Sequence, residues 1–270
     1  LGITPVHDLP GVGKNLHDHI CTNVHVQTKE PMTYDGHDRF PRSALHGLQW
    51  LLYRTGPVSS VIVEGGGFFQ TEGEATPNLQ IHIAPATVVR GGQSRIEGNG
   101  FTVNSTSLRP RARGSVTLAS ANPADEPLID PNYLSDPYDQ EMALQSIRII
   151  REVLQQPAIA PHIAHERLPG DAMKSDEELM AYIRQYACCD YHPVGTCKMG
   201  PASDAMAVVD PELKVYGLDG LRVIDSSIMP VLTSGNTNAP TIMIGEKGAD
   251  MILGKSLGSA KTAPGLASAV

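Results

Sequence analysis

The segment YHPVGTCKMG, residues 191–200, presents a histidine in a constrained turn. Pro193 fixes its own backbone torsion and restricts the residue before it, so His192 has little conformational freedom. Proton transfer to or from a substrate requires fixed geometry, which a rigid turn provides. His192 is therefore a candidate general base. A structural histidine that fills a buried turn is the alternative, and the loop taken alone favours it.

The same region contains a possible set of metal ligands. Cys188, Cys189, His192 and Cys197 lie close together, and Cys21 is the remaining cysteine. Structural zinc sites usually use two separated pairs of ligands, each pair about two to four residues apart. Adjacent cysteines with one histidine fit this pattern poorly, so we expect no metal. The uneven spacing also differs from the disulfide framework of a small secreted domain and favours a reducing compartment.

The segment LRVIDSSIMP, residues 221–230, places an aspartate after an apolar run. Residues 221–224 are typical of a short buried strand, and Asp225 follows at its carboxyl end. In open α/β sheets, ligands bind outside the carboxyl ends of strands, where an aspartate can accept a sugar-like hydroxyl. A turn or helix cap is the alternative, because aspartate is common at both.

The segment TSGNTNAPTIMIGEK, residues 233–247, leads from small and amide residues into a helix. Apolar residues predict this helix over 239–253, with Pro240 in its first turn and Gly254 after its end. A helix N-terminus offers unpaired N–H donors and partial positive charge, which stabilise an electron-rich ligand. An ordinary asparagine cap is the simpler explanation of the segment taken alone.

The segment PGVGKNLHDH, residues 10–19, contains two glycines that allow close backbone approach to a ligand. It lacks the third glycine of the dinucleotide fingerprint G-x-G-x-x-G. The sequence also contains no Walker motif, no paired zinc motif and no serine-nucleophile elbow. Each of these signals is weak when it stands alone.

Taken in this order and spacing, the motifs resemble the glucose-methanol-choline (GMC) oxidoreductases. PGVGKNLHDH resembles a conserved loop of that family, and SLRPRARGSVTL resembles the entry strand of its substrate domain. YHPVGTCKMG, GLRVIDSSIMP and NTNAPTIMIGEKGADMI resemble its C-terminal block, which is highly specific. The resemblance covers residues 1 to about 254 and is strongest to bacterial choline dehydrogenase-like and alcohol dehydrogenase members.

The resemblance implies roles for individual residues. His192 matches the catalytic base, and Asn238 matches a second active-site position that is His or Asn in the family. The positions that match contacts to the FAD cofactor are Asn15, Asp225, Ser226, Asn238, Ala239, Pro240 and Thr241. No position matches a metal ligand.

The implied reaction is oxidation of a primary alcohol to an aldehyde, with hydride transfer to flavin N5. The family holds the ADP part of FAD in an N-terminal segment that bears G-x-G-x-x-G, and that segment is absent from these residues. The missing FAD-binding half is therefore an expected partner, besides a small alcohol. Two alternatives stay open: a non-catalytic fragment, or a hydroxynitrile lyase on the same scaffold.

Choline itself is a weak candidate for the substrate. A quaternary ammonium group is usually held in an aromatic cage, and aromatic residues make up only 5% of this chain. Glu64 could offset a cation, although a carboxylate that caps a loop explains it equally well.

Composition narrows the functional class. The net charge of −8 opposes nucleic-acid binding, which normally needs a basic excess. No apolar run of about 18 residues predicts a transmembrane helix. The chain starts at Leu1 without a methionine, and we interpret this start as a cut, so that a targeting signal could lie upstream.

The predicted fold class is mixed α/β, with an antiparallel sheet, covering helices and returning pieces of a Rossmann-like FAD domain. Alternating residues predict strands, and helix starts are marked by Asp136 before Pro137 and by a capping box from Ser175 to Glu178. The predicted strands are 19–28, 79–84, 101–108, 114–119 and 221–224, and a further helix is predicted over 40–53.

The resemblance also divides the chain into four parts. They are an FAD-proximal loop at 1–19, a substrate-binding domain at 20–190, the C-terminal part of the FAD domain with the active site at 191–254, and a flexible tail at 255–270.

Overall fold

The computed structural model describes residues 2, 4–89 and 94–255. The predicted tail lies outside the described residues, except for Lys255. The elements in chain order are β1 (Ile20–Thr28), α1 (Arg42–Tyr53), β2 (Gly65–Phe69), β3 (Leu79–Ala84), β4 (Val88–Val89), β5 (Ser94–Arg95), β6 (Gly100–Ser107), β7 (Ser115–Thr117), β8 (Leu128–Asp130), α2 (Pro137–Leu154), β9 (Ile163–Leu168), α3 (Asp176–Tyr186), β10 (Cys188–Cys189) and α4 (Asn238–Ile252).

Six strands form one antiparallel sheet, in the order β10-β1-β6-β3-β2, with β9 also paired to β1. The long strand β1 contacts β6 along one edge, while β10 and β9 share its other edge in turn. The pairs β4–β5 and β7–β8 form two small separate ribbons. Mixed α/β structure with an antiparallel sheet and covering helices is thus confirmed.

One face of the sheet packs against α2 and α3. Because side chains alternate along a strand, Val24, Val26 and Val103 point to the same face and are fully buried there. They meet Ile147 and Ile150 of α2, which are also fully buried. Burial of an aliphatic side chain of this size contributes roughly 1.5–3 kcal/mol, so this layer anchors the sheet.

The starts of α2 and α3 confirm the predicted caps. The Asp136 carboxylate accepts the N–H of Tyr138 at 2.8 Å before α2. At α3, the Glu178 N–H donates to the Ser175 hydroxyl, and the Ser175 N–H donates to the Glu178 carboxylate at 3.1 Å. These local bonds satisfy helix donors that otherwise lack partners, which is why the sequence alone located both helices.

A second, smaller core follows the sheet. It joins Val194 and Val209 to Ile228 and to Ile244 of α4. These residues meet through turns and isolated bridges rather than through a ladder of strands.

The predicted strand at 221–224 is wrong. Arg222 forms only an isolated bridge with Lys214, and no strand is assigned there. A buried parallel strand requires neighbours on both edges, and the described residues supply none at this place. Ile224 instead packs against α4, where a Cβ at Gly248 would lie 2.3 Å from its side chain.

The candidate active site

The second face of the sheet is polar and lies beside the predicted catalytic loop. It presents side chains from three neighbouring strands, namely Asn23, Gln80, His82, Asn104 and Thr106. Residues 188–191 and 61–63 complete the walls of a cavity of about 390 Å³ over this face. Asn23, His82 and Asn104 give this largely apolar cavity a polar floor, which can bind a small hydroxylated molecule.

His192 is held by its backbone. Its N–H donates to the Asp18 carboxylate at 2.9 Å, and Tyr133 donates its hydroxyl to the same carboxylate. Val194 and His17 exchange two backbone hydrogen bonds of 2.9 Å each. The PGVGKNLHDH and YHPVGTCKMG segments therefore form one mount, which fixes the position of the His192 ring.

A glycine permits this close contact. Gly195 has φ of +93°, and a Cβ there would lie 2.4 Å from the carbonyl oxygen of Asn15. Asn15 in turn donates its amide to the Gly195 carbonyl at 3.2 Å and to the Pro230 carbonyl at 3.3 Å. Any side chain at position 195 would force these two segments apart.

Three side chains meet the ring of His192, which is 12% exposed. Nδ1 lies 2.9 Å from Nδ1 of His19, with the two rings nearly perpendicular. Nε2 lies 3.4 Å from the amide nitrogen of Asn236. The Asp190 carboxylate is 3.7 Å from Nδ1. Both nitrogens of the ring are thus oriented by neighbours, as proton transfer requires.

Asn236 is oriented by the sheet. Gln80 of β3 donates its amide N–H to the Asn236 carbonyl oxygen at 3.1 Å. The same Gln80 nitrogen lies 2.8 Å from Nε2 of His82. The amide nitrogen of Asn236 is consequently turned toward His192.

Burial shifts the protonation of the neighbouring groups. Desolvation lowers the pKa of His19 to about 4, so its ring is neutral at pH 7. Desolvation also raises the pKa of the Asp190 carboxyl, which accepts the Thr106 hydroxyl at 2.8 Å.

The structure brings an asparagine that the sequence did not single out into contact with His192. Asn238 is the first residue of α4 and is exposed, and the side chain that bonds to His192 is that of Asn236, two residues earlier. The cap position of α4 is Thr237, which makes no side-chain cap hydrogen bond. The sequence showed the Asn-Thr-Asn pattern but could not show which asparagine preceded the first helical turn.

The other predicted residues lie in three places. Ser226 lies against the mount, since its hydroxyl donates to the Pro193 carbonyl at 3.3 Å and its carbonyl accepts the Gly195 N–H. Asp225 is exposed and accepts the Ser227 N–H at 2.8 Å, which is the turn role that its sequence context allowed. Ala239, Pro240 and Thr241 form the first turn of α4.

Reasoning from sequence missed several neighbours of His192. His19, Asp18 and Gln80 all contact the mount or the ring system. The His-Asp-His run at 17–19 was the available signal, but its partners are about 170 residues away along the chain. The pairing of β1 with β10 and the bridge between His17 and Val194 bring them together.

The start of α4 and Asp225 are the described residues that would contact the FAD implied by the resemblance. The start of α4 has no side-chain cap and no acidic residue in its first turn, so its positive end is free to face an electron-rich ring. The exposed Asp225 carboxylate stands nearby along the chain and can accept a ribityl hydroxyl. These residues fit the isoalloxazine and ribityl parts of FAD, but the sequence offers no glycine-rich loop for the pyrophosphate.

Within residues 2, 4–89 and 94–255, no group of three or more His, Cys, Asp or Glu side chains could hold a metal ion. In the same part of the chain, no helix is long and apolar enough to cross a membrane.

Comparisons with known proteins agree on one family. Residues 110–245 match the family model described as GMC oxidoreductase. The alcohol dehydrogenase [acceptor] of Pseudomonas putida is 44% identical over 94% of this chain and 46% of its own length. An oxygen-dependent choline dehydrogenase of Chromohalobacter salexigens is 42% identical over 94% of this chain and 45% of its own length.

Solved structures show the same fold. The formate oxidase of Aspergillus oryzae RIB40, a structure concerned with FAD modification, has a TM-score of 0.85 and 25% identity over 94% of this chain and 49% of its own. A fungal aryl-alcohol oxidase has a TM-score of 0.75 and 25% identity over 94% and 50%. The chain spans less than half the length of the curated relatives named above. It belongs to the GMC oxidoreductase family, and its matched segment is the C-terminal domain of that family.

Proposed function

We propose that this chain supplies the substrate cavity and the proton-transfer residues of an FAD-dependent enzyme that oxidises a primary alcohol to an aldehyde. The observation that supports it best is the pairing of His192 and Asn236 at 3.4 Å beside the polar face of the sheet. A base and an amide donor at this separation can both reach the hydroxyl oxygen of one small alcohol.

His192 would accept the hydroxyl proton at Nε2, the nitrogen that faces Asn236. Asn236 would donate its amide N–H to the alcohol oxygen and stabilise the charge that develops there. Asp190 would stabilise the protonated ring, since its carboxylate lies 3.7 Å from Nδ1. Bound FAD would supply the acceptor for the hydride that leaves the carbinol carbon.

The cofactor contacts remain those that the resemblance implies. Asp225 and the backbone of Ser226 would hold the ribityl part, and the first turn of α4, from Asn238 to Thr241, would face the pyrimidine edge of the flavin. Asn15 would act through the backbone of its loop, because its amide is engaged with two carbonyl groups.

The division of the chain follows the same proposal. Residues 20–190 would form the substrate-binding domain, while 1–19 and 191–254 would belong to the FAD domain. An N-terminal half bearing the glycine-rich fingerprint would complete the enzyme.

The relatives act on alcohols or choline according to their names, and a small alcohol is therefore the proposed substrate class. The Glu64 side chain is exposed in the described structure, and it alone provides no enclosed site for a cation.

The test is replacement of His192 by alanine in the reconstituted full-length enzyme. Loss of a general base should lower turnover on the order of 10²–10⁴-fold while the bound flavin, measured by its absorbance, is preserved. The exposed His165 gives a matched control, and His165→Ala should retain activity.

Unchanged alcohol turnover in His192→Ala would exclude this base. Product analysis addresses the lyase alternative, because an oxidase or dehydrogenase reduces its flavin during turnover whereas a hydroxynitrile lyase releases cyanide without net redox.

A further inference from the structure

A directed chain of hydrogen bonds runs through the site. It starts at Gln80, passes through Asn236, His192 and His19, and ends at the carbonyl oxygen of Leu108. A neutral imidazole has one nitrogen that donates and one that accepts, so the direction of such a chain determines the tautomer of each ring.

The Leu108 end fixes the direction from one side. A carbonyl oxygen only accepts, and it lies 3.2 Å from Nε2 of His19, so this nitrogen bears the proton. Burial lowers the pKa of His19 to about 4, which leaves the ring a single proton at neutral pH. Nδ1 of His19 is then a lone-pair acceptor and must receive the Nδ1–H of His192 at 2.9 Å.

The Gln80 end gives the same direction independently. The Gln80 N–H donates to the carbonyl oxygen of Asn236, and the Asn236 amide nitrogen, which only donates, faces Nε2 of His192 at 3.4 Å. The reverse direction would set two donors against each other here and two acceptors against each other at Leu108. The contact at Leu108 is buried, so two acceptors that face each other there are strongly disfavoured.

We infer that His19 is a positioning residue, which fixes His192 in the tautomer with the proton on Nδ1 and the lone pair on Nε2. This role deepens the proposed function and rests on it, because it prepares the base at the nitrogen that faces the alcohol. When Nε2 takes the proton, the Nδ1–H bond to His19 becomes charge-assisted and stronger.

His19 also retains the ring in place after that transfer. Its Nδ1 still accepts the Nδ1–H of His192 at 2.9 Å. Because burial lowers the pKa of His19 to about 4, a second proton on its ring is disfavoured, and the proton stays on His192 during the reaction.

The direct test is nitrogen-15 NMR of the histidine rings in the full chain at neutral pH. The chemical shift of each ring nitrogen reports whether it bears a proton. The expected result is protonation at Nε2 only for His19 and at Nδ1 only for His192. Protonation of His192 at Nε2, or of His19 at Nδ1, would overturn the inference, and this measurement needs no variant except for assignment.

Two variants of His19 extend the test. His19→Leu removes the acceptor of the Nδ1–H bond from His192. His19→Asn places an amide oxygen close to the former Nδ1 position and preserves an acceptor there. In His19→Leu, the His192 resonances should shift toward a mixture of tautomers, and kcat in the reconstituted enzyme should fall about 10-fold or more with KM little changed. In His19→Asn, the resonances and most of the turnover should be recovered.

His25→Asn is a matched control that separates the effect of the hydrogen bond to His192 from the effect of losing a buried histidine. His25 is equally buried on β1 but bonds to Thr102 at 3.1 Å, outside the chain of bonds, so His25→Asn should leave the His192 tautomer unaltered. Equal loss of turnover in His19→Leu and His19→Asn, with both folded by circular dichroism, would refute the positioning role. If His192→Ala retained full activity while the tautomers were as stated, the proposed function would fail and the tautomer assignment would stand.

Discussion

Acidification from pH 7 to pH 5 should destabilise the fold through its buried histidines. His17, His19 and His25 are each no more than 1% exposed. Desolvation by burial lowers the pKa of each to about 4, whereas an exposed histidine titrates near 6.5. The folded chain therefore excludes protons that the unfolded chain binds.

The linkage between proton binding and folding gives the sign and the size of this destabilisation. Between about pH 6.5 and pH 4 the unfolded state binds more protons, so the free energy of unfolding falls as the pH falls and stops falling below the folded pKa. From pH 7 to pH 5, each histidine with these two pKa values lowers the free energy of unfolding by about 1.8 kcal/mol. His19 and His25 together lower it by about 4 kcal/mol, and His17 lowers it further. Asp190, whose pKa is raised by burial, acts in the opposite direction.

A loss of about 4 kcal/mol is a large part of the roughly 5–15 kcal/mol typical of a folded domain. Urea denaturation followed by circular dichroism at pH 7, 6 and 5 measures it. Replacement of His25 by asparagine should reduce the loss between pH 7 and pH 5 by about 2 kcal/mol, because one proton-excluding group is removed. The exposed His162 provides the control, and His162→Asn should leave the pH dependence as it is.

The pH dependence of the free energy of unfolding in the wild type and in His25→Asn is more informative than their absolute stabilities. His25→Asn also leaves Thr102 with an altered partner, but that cost is the same at each pH. A wild-type loss below about 1 kcal/mol across this window, or an undiminished loss in His25→Asn, would show that burial does not hold these rings neutral.

Three further outcomes are expected. Asn236→Ala should slow flavin reduction by alcohol in stopped-flow measurements on the reconstituted enzyme, whereas Asn238→Ala should alter chiefly stability or flavin affinity, and the opposite order would restore Asn238 as the catalytic partner. Burial raises the pKa of Cys189 to about 11, so this thiol should be alkylated only slowly in the native chain at pH 7 and faster as the pH rises toward 11. Mass spectrometry follows the alkylation, and fast alkylation at pH 7 would contradict the raised pKa. The 270 residues alone should show no saturable quenching of FAD fluorescence at micromolar concentrations, because they lack a loop for the pyrophosphate, and a yellow preparation would show otherwise.

Local signals predicted the elements that depend on local chemistry. The strands β1, β3 and β6 follow from alternation, and α2 and α3 follow from their caps. The strand β2 was missed, because Gly65, Gly66 and Gly67 have no side chains to alternate and a glycine run reads as a flexible stretch. Its pairing with β3 is decided by the neighbouring strand, not by its own sequence.

The site was predicted in part for the same reason. His192 stands in a motif whose rigidity is visible in the sequence, and the structure places it at the centre of the contacts described above. Asn236 could not be distinguished from Asn238, because the distinction depends on where α4 begins. Thr237 precedes the helix without a side-chain cap, so no local signal marked that start.

The register between β1 and β10 links the fold to the proposed chemistry. Ile20 pairs with Cys189, and the Asp190 N–H donates to the His19 carbonyl at 2.9 Å, so the paired strands end beside the catalytic loop. A shift of this register by one residue would turn the His19 side chain to the opposite face of the sheet, away from His192. The backbone bonds that satisfy the ends of two strands thus also set the distance between two rings, and the hydrophobic layer beneath β1 holds that register. The precision of the proposed chemistry therefore depends on how well that layer is packed.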